Sequence, residues 1–391
     1  MAKRKTKNIS KKKLKATIST VLVILVLLFV VACYFYPPLY EFVLKLFSRE
    51  EEPEFRVEGD ITYIESGVMP DLKVHFVDVG QGDAIIIELP DGKNVIIDAG
   101  IQYGKDNTEY NLSNYIKTKT NVDSFDYAIA THADSDHIGN FDKILEEFEV
   151  KKIYRPHVLY TGTHFTFSSD FNMGGSDSKQ PSKNYGEFLN AVKNETYIHN
   201  GITKSAEWEF FTQESDFAGK ISYQGEIYEY YFDFLTPRVN NFSDISYENA
   251  NDYSPIIKFT YEEVDILFTG DAEGGIEGDA EDEFVEYYKN ITDFDLDVDI
   301  LKVGHHGSRT STTQELLDLV KPEYAVIQCG EGNTYKHPHQ STLDRLFDLN
   351  CTLYRNDKHG DVVLTINKEG LFTFATEKQN NTGLFVGGDA T

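Results

Sequence analysis

The stretch Thr131 to Asn140, THADSDHIGN, places two histidines and two aspartates within six positions, directly after the apolar run DYAIA. Such a cluster is either the solvated start of a helix or one half of a metal site. The first reading has the preference of Asp for helix N-termini behind it. The second rests on spacing: in an extended loop His132, Asp134 and Asp136 point to similar sides, and His137 beside them can reach a second ion. Imidazole nitrogen and carboxylate oxygen without thiolate make a mixed donor set suited to zinc, manganese or iron.

The same arrangement recurs twice downstream. Asp271 follows VDILFTG, and His305 and His306 follow VDILKVG. Polar groups just beyond the ends of buried strands are where α/β folds place their ligands, so three loops can converge on one point. Upstream, KVHFVDV, AIIIEL and NVIIDAG read as three strands separated by the tight turns GQGD and PDGK. After THADSDH a helix carries Ile138, Phe141, Ile144 and Leu145 at helical spacing. Further strands (IYEYYFDFLTP, SPIIKFT, EYAVIQCG, CTLYRND, DVVLTI) alternate with helices over TTQELLDLV and STLDRLFDL. The mixture predicts an α/β fold built on sheet layers with helices outside.

Other features allow plainer readings. Gly80-Gln81-Gly82-Asp83 resembles a phosphate cradle, but a strand rather than a helix follows it, which favours a hairpin turn. Residues from about 157 to 215 are rich in Ser, Asn, Tyr and Gly and read as an insertion near the site; its Tyr160, Phe165, Phe167 and Tyr185 either stack on a ligand or pack their own loop. Lys302 beside the histidine pair suits a phosphate or a carboxylate. Cys329 and Cys351 lie in apparent strands and read as buried thiols, and no CxxC pair offers metal ligands.

The 391-residue chain has a net charge of −27, unevenly placed: residues 1–15 hold eight bases and no acid, leaving 29 bases against 64 acids beyond them. Ile18 to Tyr36 is uncharged and apolar, ended by Pro37-Pro38, and is long enough to span a bilayer. The expected organisation is a basic cytoplasmic arm (1–16), a transmembrane signal anchor (17–38), a stalk (39–70), a catalytic domain (71–377) and a flexible tail (378–391). By the positive-inside rule the body then lies outside a plasma membrane as a single-pass protein, with lipidation of Cys33 after Val30-Val31-Ala32 as the lesser alternative.

These motifs carry a resemblance. HADSDH matches the HxDxDH form of the metallo-β-lactamase-fold motif, FTGD its aspartate motif and KVGHHGS its late histidine motif. More narrowly, HFVDVGQGDAIIIELPDGKNVIIDAG, LKVGHHGS, the Tyr335-Lys336-His337-Pro338 loop and LYRNDKHGDV resemble the extracytoplasmic hydrolase domain of ComEC-type competence proteins, from about Leu72 to Ile366. The resemblance implies a metallo-β-lactamase-like four-layer αβ/βα sandwich, here preceded by one transmembrane helix, with one or two Zn or Mn ions at the edge between the sheets. By position His132 and Asp134 would serve the first metal, Asp136 and His137 the second, Asp271 would bridge them and His305 would close the second site. His306 would be its alternative or a proton donor, and Asp136, Asp271 and His306 would carry the chemistry. Asp134 stands where most of the superfamily has histidine, although the competence branch has aspartate. The third-motif histidine is absent, and ENANDYS offers Asn249, Asn251 and Ser254 in its place. Near the substrate the resemblance sets His337, beside Lys302, Asn251 and Ser254, with Asp83 behind the site.

A metal that acidifies water and steadies a leaving oxygen suits phosphodiester hydrolysis. The resemblance points to DNA, with a separate DNA channel as a conceivable partner. The acidic body lacks the basic stripe of long-duplex binders, so a smaller phosphoester or a phosphorylcholine-type wall decoration is the alternative substrate, and a membrane-tethered binding scaffold the non-enzymatic one.

Overall fold

The computed structural model describes residues 59–388 except 66, 102–110, 175–182, 240–244, 246, 248 and 292–295. In chain order the first half runs β1 (Asp60–Ile64), β2 (Leu72–Phe76), β3 (Ala84–Glu88), β4 (Asn94–Ala99), α1 (Leu112–Lys119), β5 (Ser124–Ile129), α2 (Ser135–Ile138), α3 (Phe141–Glu147), β6 (Glu149–Arg155), α4 (Lys183–Asn194), β7 (Thr196–His199), β8 (Ile202–Ser205) and β9 (Glu207–Phe210). The second half runs β10 (Phe217–Tyr223), β11 (Glu226–Phe234), β12 (Ile257–Tyr261), β13 (Val264–Phe268), α5 (Ala280–Tyr288), β14 (Ile300–Lys302), α6 (Gln314–Val320), β15 (Tyr324–Ile327), α7 (Gln340–Asp348), β16 (Thr352–Arg355), α8 (Asn356–His359), β17 (Val362–Ile366) and β18 (Phe372–Thr376).

Two eight-stranded sheets result, ordered β18-β17-β2-β3-β4-β5-β6-β9 and β1-β10-β11-β12-β13-β14-β15-β16, with β7 and β8 as a separate hairpin. Alternation along each strand explains the layering. Val95 and Ile97 of β4 join Ile266 and Phe268 of β13 in one core between the sheets. Ile96 and Ala99 turn the other way, onto Leu112, Ile116, Phe141 and Phe188 of the helices on that side. Leu267, Leu301 and Ala325 meet Phe284, Leu316, Leu317 and Leu343 on the opposite face. Strands apolar on both faces are what a helix–sheet–sheet–helix stack requires.

Where the sheets turn parallel, ligand loops form. β4, β5 and β6 pair in parallel, as do β13, β14 and β15. The loops after β5, β13 and β14 therefore leave their sheets at carboxyl ends and supply the three polar clusters. Within 157–215 the described residues include α4, which buries Tyr185, Phe188, Leu189 and Val192, and strand β9 paired with β6. Tyr160 packs on Phe165 and Phe167, so these rings fill their own loop.

The ends of the chain depart from expectation. Residues 60–64, inside the segment read as a stalk, form β1, which pairs in parallel with β10. The segment to Gly388, read as a flexible tail, is pinned because Arg355 needs acceptors: its Nη1 donates to Leu384 O at 2.7 Å and Val386 O at 2.9 Å. Among the described residues no helix is long and apolar enough to cross a membrane. The transmembrane helix and the single-pass localisation expected from the sequence are therefore corrected; segment 17–38, on which both rested, lies outside the described residues, as do the basic arm and Cys33.

Candidate metal centre

The centre is built around Asp271 at the end of β13. His137 Nε2 stands 3.2 Å from Asp271 Oδ2, and His306 Nε2 stands 3.3 Å from the same oxygen. The two Nε2 atoms are 3.4 Å apart, and Asp136 Oδ2 is 3.4 Å from His306 Nε2. His132 joins them, its ring centroid 4.1 Å from that of His137. Asp83, His137, Asp271 and His306, all buried, bring ligand atoms within 4.8 Å of one another.

Each inward nitrogen is aimed by what holds the opposite nitrogen. His137 Nδ1 bonds Asp98 Oδ2 at 2.7 Å. His306 Nδ1 lies 2.9 Å from Gln328 O and 3.1 Å from Asp83 Oδ1. His132 Nδ1 is 3.0 Å from Thr131 Oγ1 and 3.2 Å from Ser254 Oγ, which in turn accepts Asp271 N–H at 3.0 Å. With Nδ1 engaged, each ring presents Nε2 to the common point, the orientation metal-binding histidines receive from the groups behind them. His132 Nε2 and Asp271 Oδ1 are buried with no hydrogen-bond partner, which an ion would satisfy.

Electrostatics tells the same story. Burial lowers the His137 imidazole, and Asp271 and Asp98 more than reverse this, leaving it well above the ordinary histidine value. His306 behaves alike, burial being overcome by Asp271 and Asp83. Burial raises Asp271, but the charges of His137, His306 and His305 hold it well below the carboxylate range. His132, dominated by burial and by His137, falls to about 4. The carboxylates here favour positive charge at the centre, which a divalent cation would supply, so the residues fit a metal.

The local backbone is specialised. His305 and His306 both take left-handed φ, 43° and 53°, rare for such side chains, and Asp98 has φ 57°. This turn sends the two neighbouring rings apart: His306 enters the centre, while His305 Nδ1 pairs with Glu273 Oε1 at 2.8 Å and its Nε2 stays 3.8 Å from Asp271. Gly82, at φ 143°, is required because a Cβ there would lie 2.3 Å from Asp136 O; the next residue donates Asp83 N–H to that oxygen at 3.2 Å. The GQGD turn is thus a brace for the aspartate loop.

The remaining expected residues sit around this core. Asp134 is exposed and is the N-cap residue of α2. Lys302 is 1% exposed, salt-bridged to Asp83, 3.9 Å from Asp271 Oδ1 and donating to Gly270 O at 3.1 Å, so it faces carboxylates rather than solvent. Asn251 Nδ2 donates to Glu273 Oε1 at 3.1 Å, and Ser254 stands behind His132. The His337 ring lies 5.3 Å from that of His305 and 6.1 Å from that of His306. Asp98, Glu273 and Gln328 escaped sequence reading; the one signal for Asp98 was its place at the end of NVIIDAG, a strand end like those already singled out.

Comparison with known proteins fits this geometry. The model of the Metallo-beta-lactamase superfamily matches residues 77–218 and 248–331. The chain is similar to ComE operon protein 3 of Bacillus subtilis, 25% identical over 314 residues, covering 77% of this chain and 34% of that protein. It is also similar to Recombination protein 2 of Haemophilus influenzae, 27% identical over 278 residues, covering 71% of this chain and 26% of that protein. These relatives are ComEC-type competence proteins, and the chain spans about a third of their length or less. Among solved structures, the metallo-beta-lactamase fold protein YhfI of Bacillus subtilis overlaps 78% of this chain and 100% of its own at 9% identity, with a TM-score of 0.40.

Proposed function

Because the chain belongs to the metallo-beta-lactamase superfamily, whose members are generally metal-dependent hydrolases, we propose that it is a metal-dependent phosphodiesterase acting on nucleic acid. The observation that carries the reading is the convergence of His137 Nε2 and His306 Nε2 on one oxygen of Asp271, with Asp136 beside them and the unpartnered Nε2 of His132 next to them. His137, His306, Asp136 and Asp271 would hold one ion, and His132 with Asp271 a second. Glu273 draws His305 out of the ligand set.

Zn²⁺ or Mn²⁺ bound here supplies a Lewis acid and lowers the pKa of water. The chain's own residues do the rest. Asp136 is the most accessible carboxylate of the group, its side chain 26% exposed against 3% for Asp271, and would accept the proton of the attacking water. Asp98 and Asp83 hold His137 and His306 in register. Lys302 offsets carboxylate charge from inside. Asn251, His305 and His337 line the outer side, where substrate arrives. One relative's printed name, Recombination protein 2, supports nucleic acid as the substrate class.

The test is metal content of the purified protein by mass spectrometry, with hydrolysis of bis-p-nitrophenyl phosphate in Zn²⁺ or Mn²⁺ beside Asp136→Ala. Bound metal and metal-dependent turnover, reduced at least about 100-fold in the variant, are expected. A protein that binds no metal and turns over nothing is a scaffold instead.

A further inference from the structure

We infer that the exposed ring of Tyr335 is a stacking platform for a nucleobase, and that the loop Gly330–Gln340 recognises single-stranded nucleic acid beside the metal centre. This rests on the phosphodiesterase reading and adds to it a residue that reads the substrate.

Tyr335 is 63% exposed, although its loop is tied down by several hydrogen bonds. Asn333 Nδ2 donates to Gly330 O at 2.9 Å and His337 O at 2.7 Å, and Asn333 Oδ1 accepts His337 N–H at 2.9 Å. His339 N donates to Gly307 O at 2.9 Å and Gly388 N to Pro338 O at 3.0 Å. Pro338 packs so closely on the histidine loop that a Cβ at Gly307 would lie 2.5 Å from its own Cβ. A loop so restrained that still leaves most of an aromatic ring in water has spent only one face of that ring on its own packing.

The ring also has a direction. Tyr335 stacks on His337 at 5.7 Å with the planes 22° apart, and His337 lies against His305 and His306. A line of rings thus runs from the surface to the ligand His306. A base laid on the free face of Tyr335 would extend this line by one more ring, on the side away from His337. Two exposed basic residues belong to this neighbourhood: Lys336, next in sequence, and Arg309, whose backbone N–H bonds His339 Nδ1 at 3.0 Å. Glu331 is the one carboxylate of the loop.

Charge selects among ligands with a planar or cationic group. Lys336 and Arg309 disfavour a quaternary ammonium such as choline and favour a phosphate-linked base. Paired bases keep their faces buried in the stack, so only a single strand offers one to the ring. A chain of net charge −27 also repels a long duplex.

The experiment is fluorescence anisotropy of a fluorescein-labelled oligo(dT) with the full chain in EDTA, for wild type, Tyr335→Ala and Tyr335→Trp. The alanine variant is expected to bind about tenfold more weakly and the tryptophan variant at least as tightly as wild type. An abasic oligonucleotide of equal length should bind wild type as weakly as oligo(dT) binds the alanine variant. Both variants should melt with wild type, because the ring is solvent-facing. Equal binding by wild type and Tyr335→Ala, equal binding of abasic and oligo(dT) strands, no binding by wild type, or displacement by phosphocholine would each overturn the platform. Wild-type turnover of bis-p-nitrophenyl phosphate reports the hydrolase reading separately, so either idea can fail alone.

Discussion

The loops after β5 and after β14 solve one problem by different means. Each carries a buried histidine whose Nε2 reaches Asp271, and each has a carboxylate at the opposite nitrogen, Asp98 for His137 and Asp83 for His306. Each also carries a polar neighbour, held in its own way. The first loop does so with a helix start, which leaves Asp134 at the exposed N-cap. The second uses two consecutive left-handed residues, which turn His305 to Glu273. Spacing along the chain decides which side chains come near a metal; the local backbone decides which arrive.

The comparison breaks most readily at His306. His306→Ala should weaken metal binding by more than about 100-fold by isothermal titration, beyond the range typical of groups behind a ligand. Retained affinity would place the ligand elsewhere in the second loop. Asp98→Asn and Asp83→Asn should each cost about 10- to 100-fold, and similar losses would make the two loops equivalent in this respect.

A further difference lies in what supports the second loop. Glu281 of α5, fully buried, accepts the N–H groups of Thr312 and Thr313, and Thr312 Oγ1 accepts Gly304 N–H at 3.0 Å. Burial raises the Glu281 carboxyl from 4.5 to about 7. Between those values the unfolded chain has released the proton that the folded chain keeps, so stability falls as pH rises, by about 1 kcal/mol per pH unit. Glu281→Gln should flatten this part of the melting-temperature profile while lowering its acid end, because an amide group then confronts a backbone N–H. An unchanged slope would exonerate Glu281. The smallest effect belongs to His305→Ala, which should leave metal affinity within about threefold; a loss like that of His306→Ala would show that both rings ligate.

Much of this was legible in the sequence because buried strands are written as apolar runs, and the residue after such a run is forced to the sheet's edge. DYAIA, VDILFTG and VDILKVG therefore located His132, His137, Asp271 and the histidine pair without coordinates. The choice between His305 and His306 was not legible, since it depends on φ angles that a sequence of two identical residues does not encode. Asp98 and Glu273 were missed for another reason: each acts on a partner 32 or more positions away (Asp98 on His137, Glu273 on His305), and their own neighbourhoods look like an ordinary strand end and turn. The tail misled because its composition is polar, whereas Arg355 fixes its backbone carbonyls.

Lys302 carries a consequence for how the protein is made. A cavity walled by Asp83, Asp98, Asp136 and Asp271 would resist closing on its own charge, yet the ammonium of Lys302 is sealed in against two of those carboxylates. That resident cation belongs to the polypeptide and is present from synthesis onward. The polypeptide thus brings its own countercharge to this carboxylate cluster, independent of any ion its surroundings provide.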